Sequence, residues 1–373
     1  MIERSLEKMI DAVLNDGKII IILGPRQTGK TTLLEKIADK TGKYQLLDCD
    51  DPSVRNLLEG ANTEQLKQII GDYPMILIDE AQRVKNIGLT LKIINDRIKN
   101  VMVLVSGSSA LELSNEINEP LTGRKWEYRL FPICWSEFDR FAGRLKALQQ
   151  LEMRILYGMY PEVINKQGNE EKILKSLAGS YLYKDILSYK GIRKPEILDK
   201  LLKALALQIG HEVSLNELAN TLQIDKNTVS NYIDLLEKAF IVFKLSSFSR
   251  NARNEINSGK KIYFWDTGIR NTLIANFNPF HLRNDSGSLW ENFIISERMK
   301  FLHYNDIHAN SYFWRTHQQQ EIDYIEEKDG MLHAYEIKWS KNARVRFPAL
   351  FKNTYAANST QIVHSENFTD FLI

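Results

Sequence analysis

Between an aliphatic run, IIIIL at 19–23, and a helical stretch that opens TTLLEKIADK, the chain spells GPRQTGKT at 24–31. That string fills every fixed position of the pattern G-x-x-x-x-G-K-[ST], and a strand before it with a helix after it is the setting the pattern needs. Gly24 and Gly29 let the backbone curl so that successive amides face inward, and the helix that follows adds the positive end of its dipole. A loop of this kind receives an anion, and Lys30 is long enough to reach the β- and γ-phosphates of a nucleoside triphosphate. Gly24, Pro25, Arg26, Gln27, Thr28, Gly29, Lys30, Thr31 and Thr32 are therefore expected to wrap the phosphates, with the Thr31 hydroxyl on Mg²⁺.

A strand–loop–helix unit belongs in a parallel sheet, and the flanking sequence supplies one. YQLLD (44–48), MILID (75–79) and VMVLVS (101–106) are short aliphatic runs separated by longer helical patterns, which predicts an α/β core covered on both faces. WEYRLF (126–131) is a further candidate strand. In MILIDE, Asp79 ends an apolar strand and is expected to hold the magnesium through water, while Glu80 polarises the attacking water. Ser106 and Ser108, in VLVSGSS, lie at the end of another strand, where a γ-phosphate would come; they either sense it or cap the turn. Arg124, on the loop LTGR before a strand, is either a surface charge or a finger that neutralises the departing phosphoryl group.

Composition excludes several classes. Lys and Arg total 49 against 47 Asp and Glu, so bulk charge does not advertise a nucleic-acid partner, although a local basic patch is compatible with a balanced total. Two cysteines, Cys49 and Cys134, argue against a disulfide scaffold, and scattered histidines argue against a structural zinc site. The charged N-terminal stretch does not read as a signal peptide, and no apolar run near it would span a bilayer, so a cytoplasmic protein without a membrane partner is expected. The length implies two or three domains. Changes of pattern divide the chain at 1–135, a helical lid or connector at 136–190, a third segment at 191–284 and a last one at 285–373.

The third segment has the cadence of a helix-turn-helix in SLNELANTLQIDKNTVSNYIDLLEKAFIV (214–242), followed by strands at 241–248 and 260–265 that would form a wing. Lys226, Asn227, Thr228, Ser230 and Asn231 are expected on the outer face of its second helix, with Arg250, Arg253, Lys260 and Lys261 on the wing. These residue types suit phosphate and base contacts. Packing without nucleic acid remains the equal alternative, since Glu217, Asp225 and Asp234 weaken the electrostatic case. The last segment carries Glu291 in WENF on a helix, Asp323 in QEIDYI on a strand, and Glu336 and Lys338 in YEIKWS on the next strand. Residues two apart on a strand share a face, and Asp323 on the neighbouring strand can reach it. Glu291, Asp323 and Glu336 are expected to take Mg²⁺ or Mn²⁺, with Lys338 orienting a water or stabilising developing charge. The alternative is a solvated sheet face.

Taken together, GPRQTGKTT (24–32), LIDEAQ (77–82), SGSS (106–109), LTGR (121–124), FPICWSEF (131–138), GMYPE (158–162), KIYFWDTGIRN (261–271), LWENF (289–293), EIDY (321–324) and EIKW (336–339) resemble a large prokaryotic family of AAA-type ATPases ending in a PD-(D/E)XK nuclease-like domain. The resemblance covers nearly the whole chain. It implies an AAA-like P-loop core at 1–135, a winged-helix domain at 191–284 and an α/β restriction-endonuclease-like domain at 285–373. It also implies ATP rather than GTP, Arg124 as a finger acting in its own subunit or a neighbour's, and Asp323, Glu336 and Lys338 as the nuclease motif. The function expected is an ATPase that couples MgATP hydrolysis to a DNA-handling domain. Its expected partners are ATP and DNA, with self-assembly left open. A switch or scaffold that binds a protein partner, its nuclease-like fold inert, is the alternative.

Overall fold

The computed structural model describes residues 2–108, 117–187, 195–250, 259–316, 318–355 and 357–373, the side chains of 180–187 and Pro195 excepted. The chain forms two compact units, one built mainly from Met1–Pro132, the other from Ile133–Tyr183, Ile192–Glu237 and Ile241–Ile373.

The first unit holds a five-stranded sheet of β1 (Ile19–Leu23), β2 (Tyr44–Asp48), β3 (Met75–Asp79), β4 (Met102–Gly107) and β5 (Lys125–Arg129). Their order is β2-β3-β4-β1-β5, and every pairing is parallel. Each residue of β1 and β3 is buried, whereas the edge strands β2 and β5 are only partly covered. That difference is why the inner strands read as pure aliphatic runs and the edges as mixed ones. Because the strands are parallel, their C-terminal ends share one rim, where ligands bind in open α/β sheets. β1 runs there into Gly24, and Asp79 closes β3. Helix Ser5–Val13 is tied to helix Lys30–Thr41 by Glu7, which accepts from Lys36 at 2.8 Å.

The second unit begins with short helices, Trp135–Ala142, Arg144–Gln149, Leu151–Tyr157 and Pro161–Asn165. Helices Pro195–Leu207, Leu215–Leu222 and Lys226–Lys238 follow, and the buried Val229, Ile233 and Leu236 give the last of these its inward face. Seven strands then form one sheet: β6 (Glu212–Val213), β7 (Val242–Ser247), β8 (Lys260–Phe264), β9 (Asn310–Arg315), β10 (Glu321–Lys328), β11 (Met331–Ile337) and β12 (Ser359–Val363). Their order is β12-β11-β10-β9-β7-β8-β6. The β7–β8 pair is not a free-standing wing. β7 runs parallel to β9, with Ser246 opposite Tyr312 and Ser247 opposite Phe313, so strands from both sides of residue 285 share a sheet.

One face of this sheet packs Trp314, Ile322, Ile325, Leu332 and Ala334 against Phe351 of helix Ala349–Tyr355. Helix Ser286–Tyr304 is buried on nearly every side, and Trp290 meets the rings of Trp339 and Phe368 at 5.0 and 5.5 Å. Between β9 and β10 the register slips by one residue between Ile322 and Ile325. Such a bulge bends the strand and re-aims side chains. Asp323 sits in it.

Candidate functional site

The loop at 24–29 is shaped by close contact. A Cβ on Gly24 would lie 2.1 Å from the Leu130 carbonyl oxygen, so only glycine fits where β1 leaves the sheet. Gly29 takes φ +89°, and helix Lys30–Thr41 starts immediately after it. Arg4, which no motif singles out, braces the turn: its guanidinium donates to the carbonyls of Thr28 and Phe131, both at 2.6 Å. The buried Lys30 folds over the loop and donates to the Gly24 and Pro25 carbonyls at 2.9 and 3.0 Å.

The expected magnesium pair is in contact, since Thr31 Oγ1 donates to Asp79 Oδ2 at 2.6 Å. A hydroxyl and a carboxylate at the head of the loop are hard oxygen donors, so these residues fit Mg²⁺. Ser106 and Ser108 separate into different roles. Ser106 is fully buried behind Asp79, donates to Asp79 Oδ1 and accepts the Glu80 amide at 3.1 Å. Ser108 instead accepts from Gln82 Nε2 at 2.9 Å, and the same nitrogen donates to Glu80 Oε2 at 2.5 Å. Gln82 was missed; its only signal was its place two residues after the acid pair.

Arg124 is not brought to this rim. It precedes β5 and its carbonyl accepts the Ile19 amide, so it lies at the N-terminal end of β1 while the loop lies at the C-terminal end. Five strand residues at about 3.3 Å each put roughly 16 Å between them. Its Nε donates to Asp96 at 2.7 Å.

In the second unit, β10 and β11 place Tyr324 opposite Tyr335, and hence Asp323 beside Glu336. Lys338 Nζ bridges them, 2.6 Å from Asp323 and 3.0 Å from Glu336, and the Ile337 amide donates to Asp323 at 2.8 Å. Burial and the neighbouring Asp323 charge push the Glu336 carboxyl up to about 7, with Lys338 opposing them. Asp323, Glu336 and Lys338 thus meet as the sequence reading expected. Glu291 is engaged elsewhere, accepting from Lys261 at 3.0 Å and from the Tyr263 hydroxyl at 2.5 Å. Among the described residues no three His, Cys, Asp or Glu side chains are gathered to hold a metal ion. Of the expected set of Glu291, Asp323 and Glu336, the last two meet through Lys338, while Glu291 pairs with Lys261 and Tyr263 within reach of the Asp323 charge.

Lys261 requires a second correction. Expected on an outward wing, it is fully buried, and its ammonium lies between Glu291 and Glu321. Burial alone would lower its pKa, but those two carboxylates hold it charged, above the ordinary lysine value. Of the other basic and polar candidates, Lys226, Asn227, Asn231, Arg250 and Lys260 are exposed, and Thr228 and Ser230 are half-buried. Lys226, Ser230 and Lys260 line a cleft of about 440 Å³ that also contains Glu212 and Asp234. Arg253 lies outside the described residues.

Residues 16–139 match the family described as AAA domain. With its sheet order and loop, the first unit is an α/β domain with a parallel-sheet core that resembles P-loop ATPases of the AAA type. Residues 148–279 and 286–370 match two domains of unknown function, DUF8612 and DUF4143. Over 331 residues the chain is 27% identical to an uncharacterised protein of Mycobacterium tuberculosis, covering 87% of this chain and 71% of that one. An uncharacterised protein of Haemophilus influenzae is 26% identical over 287 residues, 69% of each chain. Among solved structures, the Walker-type ATPase PABY2304 of Pyrococcus abyssi superposes with a TM-score of 0.53 at 16% identity, covering 74% of this chain and 96% of that one. Among the described residues no helix is long and apolar enough to cross a membrane.

Proposed function

We propose that the first unit binds and hydrolyses MgATP and that its nucleotide state controls a DNA-handling second unit. The observation that carries the ATPase reading is the Thr31–Asp79 contact at the head of the loop, with Glu80 next in the chain. Lys30 would exchange the loop carbonyls for the β- and γ-phosphates, and Thr31 and Asp79 would hold Mg²⁺, which screens phosphate charge when bound. Glu80 would take a proton from water as the water oxygen bonds to the γ-phosphorus. The bond from that phosphorus to the bridging oxygen breaks, and its electron pair leaves with ADP. Lys30→Ala should abolish binding of a fluorescent ATP analogue, while Glu80→Gln should keep binding and lose turnover. Unchanged turnover in either variant would sink the assignment.

For the second unit, the reading extends to a winged helix at 191–284 and a nuclease-like domain at 285–373. Its support is the meeting of Asp323, Glu336 and Lys338, a pair of carboxylates with a cation suited to a phosphodiester and its attacking water. Linear, circular and single-stranded DNA incubated with Mg²⁺ or Mn²⁺, with and without ATP, should be cut by the wild type and spared by Asp323→Ala. A second reading, an ATP-driven switch for a protein partner with an inert nuclease-like fold, is favoured by the engagement of Glu291 with Lys261 and Tyr263. No cleavage by the wild type under any of those conditions would select it.

A further inference from the structure

We propose that Gln82 is a positioning residue for ATP hydrolysis: its carboxamide holds Glu80 in place and ties it to Ser108, so that events at the Ser108 hydroxyl reach the water-activating carboxylate. The inference rests on the ATPase reading of the first unit.

Glu80 follows β3, Ser108 follows the neighbouring β4, and one nitrogen spans them. A primary amide has two N–H donors, and both are engaged here, one by Glu80 Oε2 and one by Ser108 Oγ. The amide orientation is fixed chemically, because turning it over would set its oxygen against the carboxylate. The turn that carries Gln82 does not need this side chain. Its backbone is already closed by the Arg83 and Val84 amides, which donate to the Glu80 and Ala81 carbonyls at 3.0 and 3.1 Å.

The remaining polar atom argues in the same direction. Gln82 Oε1 is buried and, among the described residues, accepts from no protein group. Buried acceptors are nearly always satisfied, and one left over is a common mark of a working site. The arrangement therefore presents an acceptor next to the Glu80 carboxylate, so that a water held by both would point a lone pair outward. Ser108 is almost entirely buried just after β4, and among the described residues its hydroxyl meets Gln82. A phosphate oxygen that accepts from the Ser108 hydroxyl leaves the serine oxygen still accepting from Gln82, so one hydroxyl joins the phosphate to the amide and through it to Glu80. A shift of the Ser108 oxygen toward the phosphate pulls on the amide nitrogen and so moves its hold on Glu80. Ser106 has no such path, being occupied by Asp79 and the Glu80 amide.

The test is steady-state MgATP turnover by the wild type, Gln82→Ala, Ser108→Ala and the double variant, with affinity for a fluorescent ATP analogue measured alongside. Gln82→Ala and Ser108→Ala should each lower kcat about tenfold or more while KM and analogue affinity stay within about threefold. The double variant should be no slower than the slower single one, because residues that act through one link are non-additive. Gln82→Glu keeps the shape but replaces the donor, and should be as slow as Gln82→Ala; it also guards against a folding defect from the smaller side chain. Wild-type kcat in either Gln82 variant, losses that multiply in the double variant, or analogue binding that falls with turnover would overturn the proposal. A wild type that hydrolyses no ATP would remove the ATPase reading and this proposal together.

Discussion

Lys261 and the carboxylates around it make a small buried electrolyte: Glu291 and Glu321 share its ammonium, and Tyr263 adds a hydroxyl to Glu291. Taking such charges out of water is costly, and the arrangement holds only because each has a partner. Deleting the cation strands Glu291 in a poorly solvated place, whereas the half-buried Glu321 keeps Arg315 nearby. Lys261→Met should therefore destabilise the protein by about 3–5 kcal/mol, well beyond what a surface lysine is worth. Urea unfolding of variant and wild type checks this, and a loss within about 0.5 kcal/mol would return Lys261 to the status of a surface charge. Burial pushes Glu291 up as well, with Lys261 opposing it and Asp323 adding to the rise.

At the scale of elements, the sequence was most informative where one physical rule acts alone. IIIIL and MILID are buried along their whole length, and the expected strands there coincide with β1 and β3 residue for residue. The helix-turn-helix cadence was equally plain, because Val229, Ile233 and Leu236 repeat at helical spacing. Edges and junctions were less legible. KIYFW was legible as a strand, but alternation cannot say whether its lysine faces water or a cluster of acids, and Lys261 proved to face the acids. The bulge at Asp323 was only half legible: the consecutive apolar Tyr324 and Ile325 break the alternation of EIDY, but the slip itself depends on how β9 pairs with β10. In the loop, spacing identified Lys30, Thr31 and Asp79 because the chemistry fixes it. Gln82 and Arg4 act through contacts across the fold, which spacing does not record.

Over the whole molecule, Arg124 carries the sharpest consequence. Bound to Asp96 at the far end of its own sheet from the phosphate loop, it could serve as a finger only for a nucleotide held by another subunit. If so, Arg124→Ala and Lys30→Ala should each be inactive alone, yet a mixture should regain part of the wild-type turnover, since one protomer offers the loop and another the arginine. Fluorescence-labelled variants that form mixed assemblies without regaining activity would rule this out. The shared sheet of the second unit has a different kind of consequence. β7 and β9 pair across the gap between the two matched domains of unknown function, at 148–279 and 286–370. A cut between them bares a strand edge on each piece, and a bare edge is a template for pairing with any extended chain. The two halves are safe from aggregation only in each other's company, so a gene rearrangement that moved one would be under pressure to carry the other with it.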